Sequence, residues 1–200
     1  MTQIECGPAV TRIAGGAELP APGRWQIDPG HTELAFIGRH FMLTKVRGRF
    51  TGLSGVIEVA EAPGDSTVAV TIDMTTLESG NAARDEHLRS ADFFDVEQFP
   101  ELRFLSKRIE TKGEGRYRVV GDLTIHGVTR EVALDAEYGG RATDPWGHDR
   151  LGFLAKASID RRDFGLTWNQ VVETGGVVVG ERVEIELDVE AVRMAAQSAA

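Results

Sequence analysis

Apolar and polar residues alternate with a period of two along most of this 200-residue chain. The alternation is clearest in RVEIELDVEAV (182–192), where the apolar side chains from Val183 to Ala191 are separated by charged ones. It recurs at 66–74, 117–125 and 129–138. Successive side chains of a β-strand point to opposite faces, so each segment has one buried and one solvated face, as strands of antiparallel sheets do. The pattern therefore predicts an all-β protein.

Turn residues separate the alternating runs, among them Pro29-Gly30, Pro63-Gly64 and Gly139-Gly140. Further strands are predicted at about 24–28, 32–40, 46–59, 101–110 and 150–160. Several connections are short enough for hairpins, so we expect an up-and-down order at least from residue 101 to 160. Several strands exceed the usual length of about five to six residues. Long strands in hairpin order favour a barrel of about eight or nine strands over a sandwich, because closure removes the exposed edges.

One stretch departs from the period of two. Residues 79–95 (SGNAARDEHLRSADFFD) offer Ser or Asn as a helix cap and acidic residues for the first turn. Leu88, Phe93 and Phe94 would then face the interior. The stretch predicts a short helix, or two helical turns, inserted into the barrel.

The two ends of the chain lack sustained alternation. Residues 1–23 are rich in Gly, Ala and Pro and are predicted to form a flexible or loosely docked extension. Residues 194–200 are predicted to be a short C-terminal tail. The barrel is therefore predicted to span residues 24–193 as a single domain, which suits the length of the chain.

Composition excludes several classes of function. A net charge of −9 argues against a nucleic-acid or anionic-membrane footprint, because phosphate binding needs an excess of basic residues. The single Cys6 excludes an intramolecular disulfide, and no apolar run reaches the roughly 18 residues of a membrane-spanning helix. The first residues lack the features of a secretory signal, so the sequence predicts a cytoplasmic protein. An acidic outer face does not exclude a specific homodimer.

Alternation alone leaves the interior of the barrel undecided. The positions expected to face inward include small residues as well as large ones: Gly38, Gly48, Ala69, Gly121, Ala136, Ala155 and Ala157. These residues either make room for neighbouring aromatic rings in a solid core or line a cavity. The lining of such a cavity would be almost wholly apolar, so its ligand would have to be mostly hydrocarbon.

Five segments together resemble the YceI-like family of polyisoprenoid-binding proteins. They are WQIDPGHTELAFIGRH (25–40), RGRFTGLSGVIEV (47–59), RDEHLRSADFFDVEQFPELRF (84–104), GDLTIHGVTREV (121–132) and DRRDFGL (160–166). They occur in the order of the family, and the resemblance covers nearly all of the chain after residue 24. Each segment is a weak signal by itself, whereas the set is specific.

The resemblance implies an antiparallel, lipocalin-like barrel whose lumen holds a long isoprenoid or other fatty chain, such as a quinone or polyprenyl tail. It therefore favours the hollow interior and a role in binding, sequestering or transporting such a lipid. Many members of the family are exported to the periplasm. This chain departs from them in its N-terminal extension and in having no evident signal.

The candidate ligand-binding residues follow from strand parity and from the helical insertion. Parity selects three aromatic residues for the channel and puts His40 on the same inward face, while the insertion supplies a cap at the barrel mouth. The set is Phe36, His40, Phe50, Asp85, His87, Leu88, Phe93, Phe94, Phe104 and Trp168. The polar members would hold the head group of the ligand at one end of an apolar tunnel.

The sequence shows no arrangement of nucleophile, base and acid, and no phosphate loop, nucleophile elbow or dinucleotide fingerprint. We therefore expect a non-enzymatic protein without metal or cofactor. The alternative is an enzyme in which His40, Asp85 and His87 act on a lipid head group or a small reactive substrate at the barrel mouth. A third alternative is a structural or partner-binding barrel with a solid lumen.

Overall fold

The computed structural model describes residues 11–14, 17–171 and 177–195, which contain thirteen strands and one α-helix. The strands are β1 (Thr11–Ala14), β2 (Ala17–Pro20), β3 (Gly23–Ile27), β4 (Glu33–His40), β5 (Thr44–Phe50), β6 (Leu53–Val59), β7 (Thr67–Asp73), β8 (Leu77–Glu78), β9 (Glu101–Thr111), β10 (Arg116–Ile125), β11 (Val128–Thr143), β12 (Asp149–Asp160) and β13 (Arg182–Arg193). The helix α1 spans Ala82–Arg89, and short 3₁₀ turns lie at Pro63–Asp65, Met74–Thr76 and Arg161–Phe164.

The strands from β3 onward form one closed antiparallel barrel. β3 and β4 follow one another along the same edge of β13, β5 and β6 pair with β4 and β3, and β8 and β7 pair with β5 and β6. The wall therefore contains three interrupted strands. They consist of β3 with β4, β5 with β6, and β7 with β8. Strands β9 to β12 follow as hairpin-connected neighbours, and β12 pairs with β13 to close the barrel. The predicted eight-strand barrel, its up-and-down half and its one helix are confirmed.

The prediction of one continuous strand over 46–59 was wrong, because the chain leaves the ladder at Thr51 and Gly52. The backbone of Gly52 bonds instead to the 3₁₀ turn after β7: its N–H donates to Thr76 Oγ1 (2.9 Å), and its carbonyl accepts from the Asp73 N–H (2.7 Å). A Cβ at Gly52 would lie 2.6 Å from Thr76 Cγ2. The interruption thus depends on a contact with a segment distant in sequence.

The two ends of the barrel are built differently. At the upper end, β4 terminates at His40, β13 begins at Arg182, and α1 lies against the rim. At the lower end, β3 begins at Gly23 and β9 turns into β10 through residues 112–115.

Part of the predicted N-terminal extension forms regular structure. β1 and β2 pair as an antiparallel hairpin, with Gly15 and Gly16 between them outside the described residues. Arg12 fastens this hairpin to the lower end of the barrel, since it donates to Glu61 Oε2 (2.8 Å) and to the Ala60 carbonyl (2.9 Å). Leu19 is 8% exposed. Strands of four residues are too short for their alternation to stand out in a sequence rich in Gly and Pro.

A cluster of charges around Arg150 ties separate parts of the barrel together. Its Nη1 donates to Asp28 Oδ2 (2.7 Å), between β3 and β4, and to Glu190 on β13. Its Nε donates to Asp144 Oδ2 (3.0 Å) in the β11–β12 turn. The hydrogen bond from Arg150, followed by one from His31, lowers the pKa of Asp28 to about 2. One guanidinium therefore links two connections of the wall, β3–β4 and β11–β12, to strand β13.

We predict that Arg150→Met destabilises the barrel, because it leaves three half-buried carboxylates without their shared cation. The expected loss is about 1–3 kcal/mol in the free energy of unfolding, measured by urea denaturation. Arg47→Met is the matched control. Arg47 also bridges two carboxylates, those of Glu33 and Glu186, but its side chain is 50% exposed, so we expect a loss below about 1 kcal/mol. Equal losses in the two variants would contradict the proposed role of Arg150.

We also predict a specific acid sensitivity. The pKa of Asp28 is lower in the folded chain (about 2) than in the unfolded chain (about 3.9), so its contribution to stability is complete above the unfolded value and is lost as the pH falls towards the folded value. In Arg150→Met the pKa of Asp28 returns towards its ordinary value. The urea midpoint should therefore fall less steeply in the variant than in the wild type between about pH 4 and pH 2. Parallel pH profiles would show that the pair does not carry this sensitivity.

Candidate functional site

The barrel is hollow and encloses a cavity of about 450 Å³, within the range of roughly 300–1,000 Å³ that is typical of small-molecule sites. Residues from both ends line it: Arg39, His40 and Trp168 at the upper end, Leu19 and Tyr117 at the lower end. The cavity therefore extends along the axis of the barrel.

The width of the cavity depends on small side chains at inward positions. Gly38, Ala136, Ala155 and Ala157 line it, as their parity predicts. Gly48 acts differently, because a Cβ there would lie 2.1 Å from Cζ of Phe36, so the ring of Phe36 covers this glycine. Gly121 is covered in the same way, with its Cβ position 2.7 Å from Phe104 Cζ. These two glycines make room for aromatic rings of the wall.

Ala69 was wrongly predicted to face inward. Its neighbours Val68 and Val70 line the cavity, and adjacent residues of a strand point to opposite faces. The outward side of β7 at this point carries the small residue, and the inward side carries the valines.

The structure brings nine of the ten predicted ligand-binding residues to the cavity wall. They are Phe36, His40, Phe50, His87, Leu88, Phe93, Phe94, Phe104 and Trp168. Phe36 and Phe50 pack against each other with ring centroids 5.5 Å apart, and Phe94 meets Phe50 edge-on at 6.4 Å. Aromatic residues of β4, β5 and the helical insertion thus pack against one another at the cavity wall.

Asp85 is the exception and does not line the cavity. Its carboxylate accepts hydrogen bonds from the backbone N–H of Ser79 (2.9 Å) and from the Ser79 hydroxyl, and the residue is only 8% exposed. Helix periodicity explains the difference, because residues three or four apart share a face of a helix. Arg84, His87 and Leu88 share the cavity face, whereas Asp85 points to the β8–α1 connection.

Three rings close the upper end next to α1. His87 meets Trp168 edge-on at 4.6 Å and Phe93 edge-on at 5.1 Å, and Phe93 lies 5.1 Å from Trp168. His87 Nε2 is also 2.9 Å from Asp92 Oδ2, which orients the imidazole. These contacts form the cap that the sequence predicted for the helical insertion.

Arg161 is a lining residue that the sequence interpretation missed. It is 4% exposed and donates to the carbonyls of Gly180 (3.0 Å), Val179 (3.4 Å) and Leu166. Burial lowers the pKa of this guanidinium. These contacts hold the segment after the 3₁₀ turn and the segment before β13 against the rim, where Trp168 and Val179 line the cavity. The only signal in the sequence is its place in DRRDFGL, which gives it no role.

The floor at the lower end was also missed, because it comes from the predicted extension. Arg12, Leu19 and Pro20 of the β1–β2 hairpin line the cavity together with Ser66 and Tyr117. Burial raises the pKa of Tyr117. The hairpin therefore covers the end of the barrel opposite to α1.

Apart from the Tyr117 phenol, the ionisable side chains in the lining are all basic. They are Arg12, Arg39, His40, Arg84, His87, Tyr117 and Arg161, and no Asp or Glu of the described residues is among the lining. This selection is notable in a chain with 31 acidic and 22 basic residues. Guanidinium groups only donate hydrogen bonds. The two ends of the cavity therefore suit a group that accepts hydrogen bonds.

A cluster of side chains with the composition of a metal site lies elsewhere. Ligand atoms of Asp28, His31 and Glu190 lie within 4.8 Å of one another. Arg150 donates to both of these carboxylates, so a cation already compensates their charge. The cluster is explained by its role in joining the strands.

The chain matches the family model of the YceI-like domain over residues 25–191. A UPF0312 protein of Vibrio campbellii is 39% identical over 135 residues, which are 67% of this chain and 71% of that protein. A UPF0312 protein of Staphylococcus aureus strain N315 is 36% identical over 166 residues, 82% of this chain and 94% of that protein.

Solved structures show the same fold. A YCEI protein of Campylobacter jejuni has a TM-score of 0.67 and 30% identity, covering 76% of this chain and 88% of its own. BcnA of Burkholderia cenocepacia has a TM-score of 0.72 and 21% identity, covering 82% and 98%. A polyisoprenoid binding domain from Saccharophagus degradans has a TM-score of 0.63 and 16% identity, covering 87% and 100%.

Among the described residues, no helix has the length and apolar character needed to cross a bilayer. The family match runs from within β3 to near the end of β13, which is nearly the whole closed barrel, and it begins after the β1–β2 hairpin. The chain belongs to the YceI-like domain family.

Proposed function

We propose that this protein binds a long apolar ligand of the isoprenoid type, such as a polyprenyl chain or an isoprenoid quinone, inside the barrel. The tail occupies the lumen and the head group lies at the upper end, near α1. The observation that carries this proposal is a single cavity along the barrel axis whose wall is aliphatic and aromatic almost throughout. The protein would act by sequestering or transporting the ligand.

The middle of the cavity selects for hydrocarbon. Its wall is made of residues such as Leu34, Val70, Leu123 and Leu187, which offer no hydrogen-bond partner. A polar group placed there would lose its bonds to water without replacement, at a cost of roughly 2–7 kcal/mol. Apolar surface, in contrast, gains about 25 cal/mol for each Å² removed from water. A long, slender hydrocarbon chain satisfies both conditions.

The upper end supports the placement of the head group. Arg39, His40, Arg84 and His87 line it, and all can donate hydrogen bonds. A quinone carbonyl, an amide or a phosphate accepts such bonds. The head group would therefore lie beside α1 and the aromatic cap, as expected from the sequence.

The fold comparison supports the ligand class. The Saccharophagus degradans domain is described as polyisoprenoid binding and shares the barrel, and the present chain has the cavity that such a ligand needs. At 16% identity the likeness shows the fold alone, so the ligand class is carried to this chain as a proposal.

The alternative of an enzyme loses its main support. It required His40, Asp85 and His87 to act together, whereas the Asp85 carboxylate is bound to Ser79 and lies outside the cavity wall. His87 pairs with Asp92 instead, and no nucleophilic Ser, Thr or Cys stands next to this pair in the described lining. We therefore propose a binding protein without catalytic residues.

The test is the identity of the bound compounds. We expect protein purified without detergent to carry an apolar, isoprenoid-type compound that organic solvent extracts and mass spectrometry identifies. Ala155→Trp should lose it and bind added prenols or quinones at least about tenfold more weakly, because Ala155 lies at the centre of the cavity wall between Ala136 and Leu187.

Leu154→Trp is the matched control for this variant. Leu154 precedes Ala155 on β12 and is 49% exposed, so the added ring lies outside the barrel and binding should be unchanged. Near-UV circular dichroism checks that both variants are folded. Absence of any bound apolar compound, together with no uptake of prenols or quinones by the wild type, would overturn the proposal.

We further predict that the β1–β2 hairpin sets the length of the bound chain, because Leu19 and Pro20 form the floor of the cavity. Deletion of residues 1–22 should leave the barrel folded and open its lower end. In titrations with prenols of increasing length, wild-type affinity should fall beyond a certain length, whereas the truncated protein should keep binding longer chains. The same length limit in both proteins would contradict a role for the hairpin.

A further inference from the structure

The turn between β4 and β5 exposes three large apolar residues in a row. Phe41, Met42 and Leu43 are 42%, 59% and 79% exposed. We call these three residues the apolar tip. Val171, in the segment after Trp168, is 82% exposed and lies at the same end of the barrel. Single exposed apolar residues are common on protein surfaces, whereas a contiguous group of them marks an interaction site.

The backbone of the apolar tip makes this group more unusual. The Leu43 N–H donates to the His40 carbonyl (2.9 Å), and the two central residues of this turn, Phe41 and Met42, have φ angles of 50° and 60°. Turns with positive φ at both central positions favour Asn and Gly, because bulky side chains are strained there. The residues of the tip are therefore unfavourable in two respects: bulky side chains adopt positive φ angles, and apolar side chains are exposed to water. Neither the turn nor the core explains the choice of these residues.

The apolar tip stands on the rim of the cavity. The Phe41 N–H donates to the Val178 carbonyl (2.8 Å), and Val178 lines the cavity. His40 and Val46, on either side of the tip, line it as well. The exposed apolar surface is thus continuous with the upper end of the ligand cavity.

The charged residues that flank the tip along the chain are positive. Arg39 and Lys45 flank it, and the sequence has no acidic residue between Glu33 and Glu58. Lys45 is paired with Glu184 (3.0 Å), whereas no described carboxylate forms an ion pair with Arg39. Arg39 is exposed and borders the cavity, so it can pair with a phosphate of a lipid head group.

We propose that the apolar tip inserts into the surface of a lipid bilayer and thereby holds the upper end of the cavity against the membrane. Docking on the bilayer is argued from the exposed apolar tip and from Arg39 alone, independently of any ligand inside the barrel. The further consequence, that an apolar ligand exchanges between bilayer and barrel without crossing water, rests on the proposed lipid-binding function.

A second copy of the chain fits the tip less well than a bilayer does. A stable protein interface buries about 800 Å² on each partner, with roughly 20–30 residues, and three tip residues with Val171 fall far short of that. A two-fold contact through the tip would also bring the unpaired Arg39 of each copy together. The net charge of −9 opposes strongly anionic surfaces, so insertion of apolar side chains, with a cation beside them, is what drives docking.

The test uses phosphatidylcholine vesicles and the double variant Met42→Glu/Leu43→Glu. We expect wild-type protein to float with the vesicles on a density gradient and the double variant to partition at least about tenfold less. Trp146→Glu is the matched control, because Trp146 is an equally exposed aromatic residue (78%) in the β11–β12 turn at the lower end. This control should float like the wild type. Both sites are exposed, so the variants should remain folded.

A second measurement separates docking from ligand binding. The rate at which a fluorescent prenol passes from vesicles to the protein should fall in the double variant, while its affinity for the same prenol in vesicle-free solution stays unchanged. If the wild type binds no prenol but still floats in a tip-dependent way, the lipid-binding function fails and docking stands.

Three outcomes would overturn docking. They are wild-type protein that does not float, an equal loss in Trp146→Glu, and a wild-type dimer that the double variant converts to a monomer in analytical ultracentrifugation. The last result would identify the tip as a contact between copies of the chain.

Discussion

The ladder between β12 and β13 is the interaction on which the rest of the structure depends. It runs without a break from Arg150–Val192 to Asp160–Arg182 and joins the hairpin-connected half of the barrel to the last strand. β13 in turn holds both β3 and β4 by its other edge. Closure gives every alternating strand a common interior, so its apolar face is buried without a second sheet.

A closed barrel of this size can be solid or hollow, and the side chains at the centre of the wall decide which. Around Ala155 the neighbours are Ala136 on one side and Leu187 on the other, so this part of the wall projects little into the lumen. Phe36 and Phe104 do not fill the space, because each lies over a glycine of the neighbouring strand. The cavity is therefore a consequence of where small residues are paired, which requires knowledge of the register.

This explains which features could be predicted from the sequence. Period two identifies strands and their inward faces, and it correctly places Phe36, Phe50 and Phe104 on the wall. Only the family resemblance predicted the hollow interior, since alternation does not show which residues of neighbouring strands are paired. Asp85 was misplaced because the whole helical insertion was assigned to the cap, whereas helix periodicity brings only one of its faces to the cavity.

The features that the sequence did not reveal depend on contacts between distant segments. The interruption at Gly52 needs the turn at Thr76, and the role of Arg161 needs carbonyls of Leu166, Val179 and Gly180. The β1–β2 hairpin is visible only through its docking on the lower end, where Arg12 meets Glu61. None of these contacts leaves a periodic signal.

The two ends of the cavity consequently have different origins. The upper end, with α1, the aromatic cap and Arg161, lies inside the span of the family match, whereas the hairpin at the lower end precedes it. Because the hairpin forms a floor at the lower end, the proposed ligand would enter at the upper end, past the aromatic cap. The exposed residues Phe41 to Leu43 stand at this same end, next to the lining residues His40 and Val178. Closure of the barrel, the floor and the apolar tip are therefore consistent with one orientation of the proposed ligand, in which its hydrocarbon chain would enter from the side of α1 and end near Leu19.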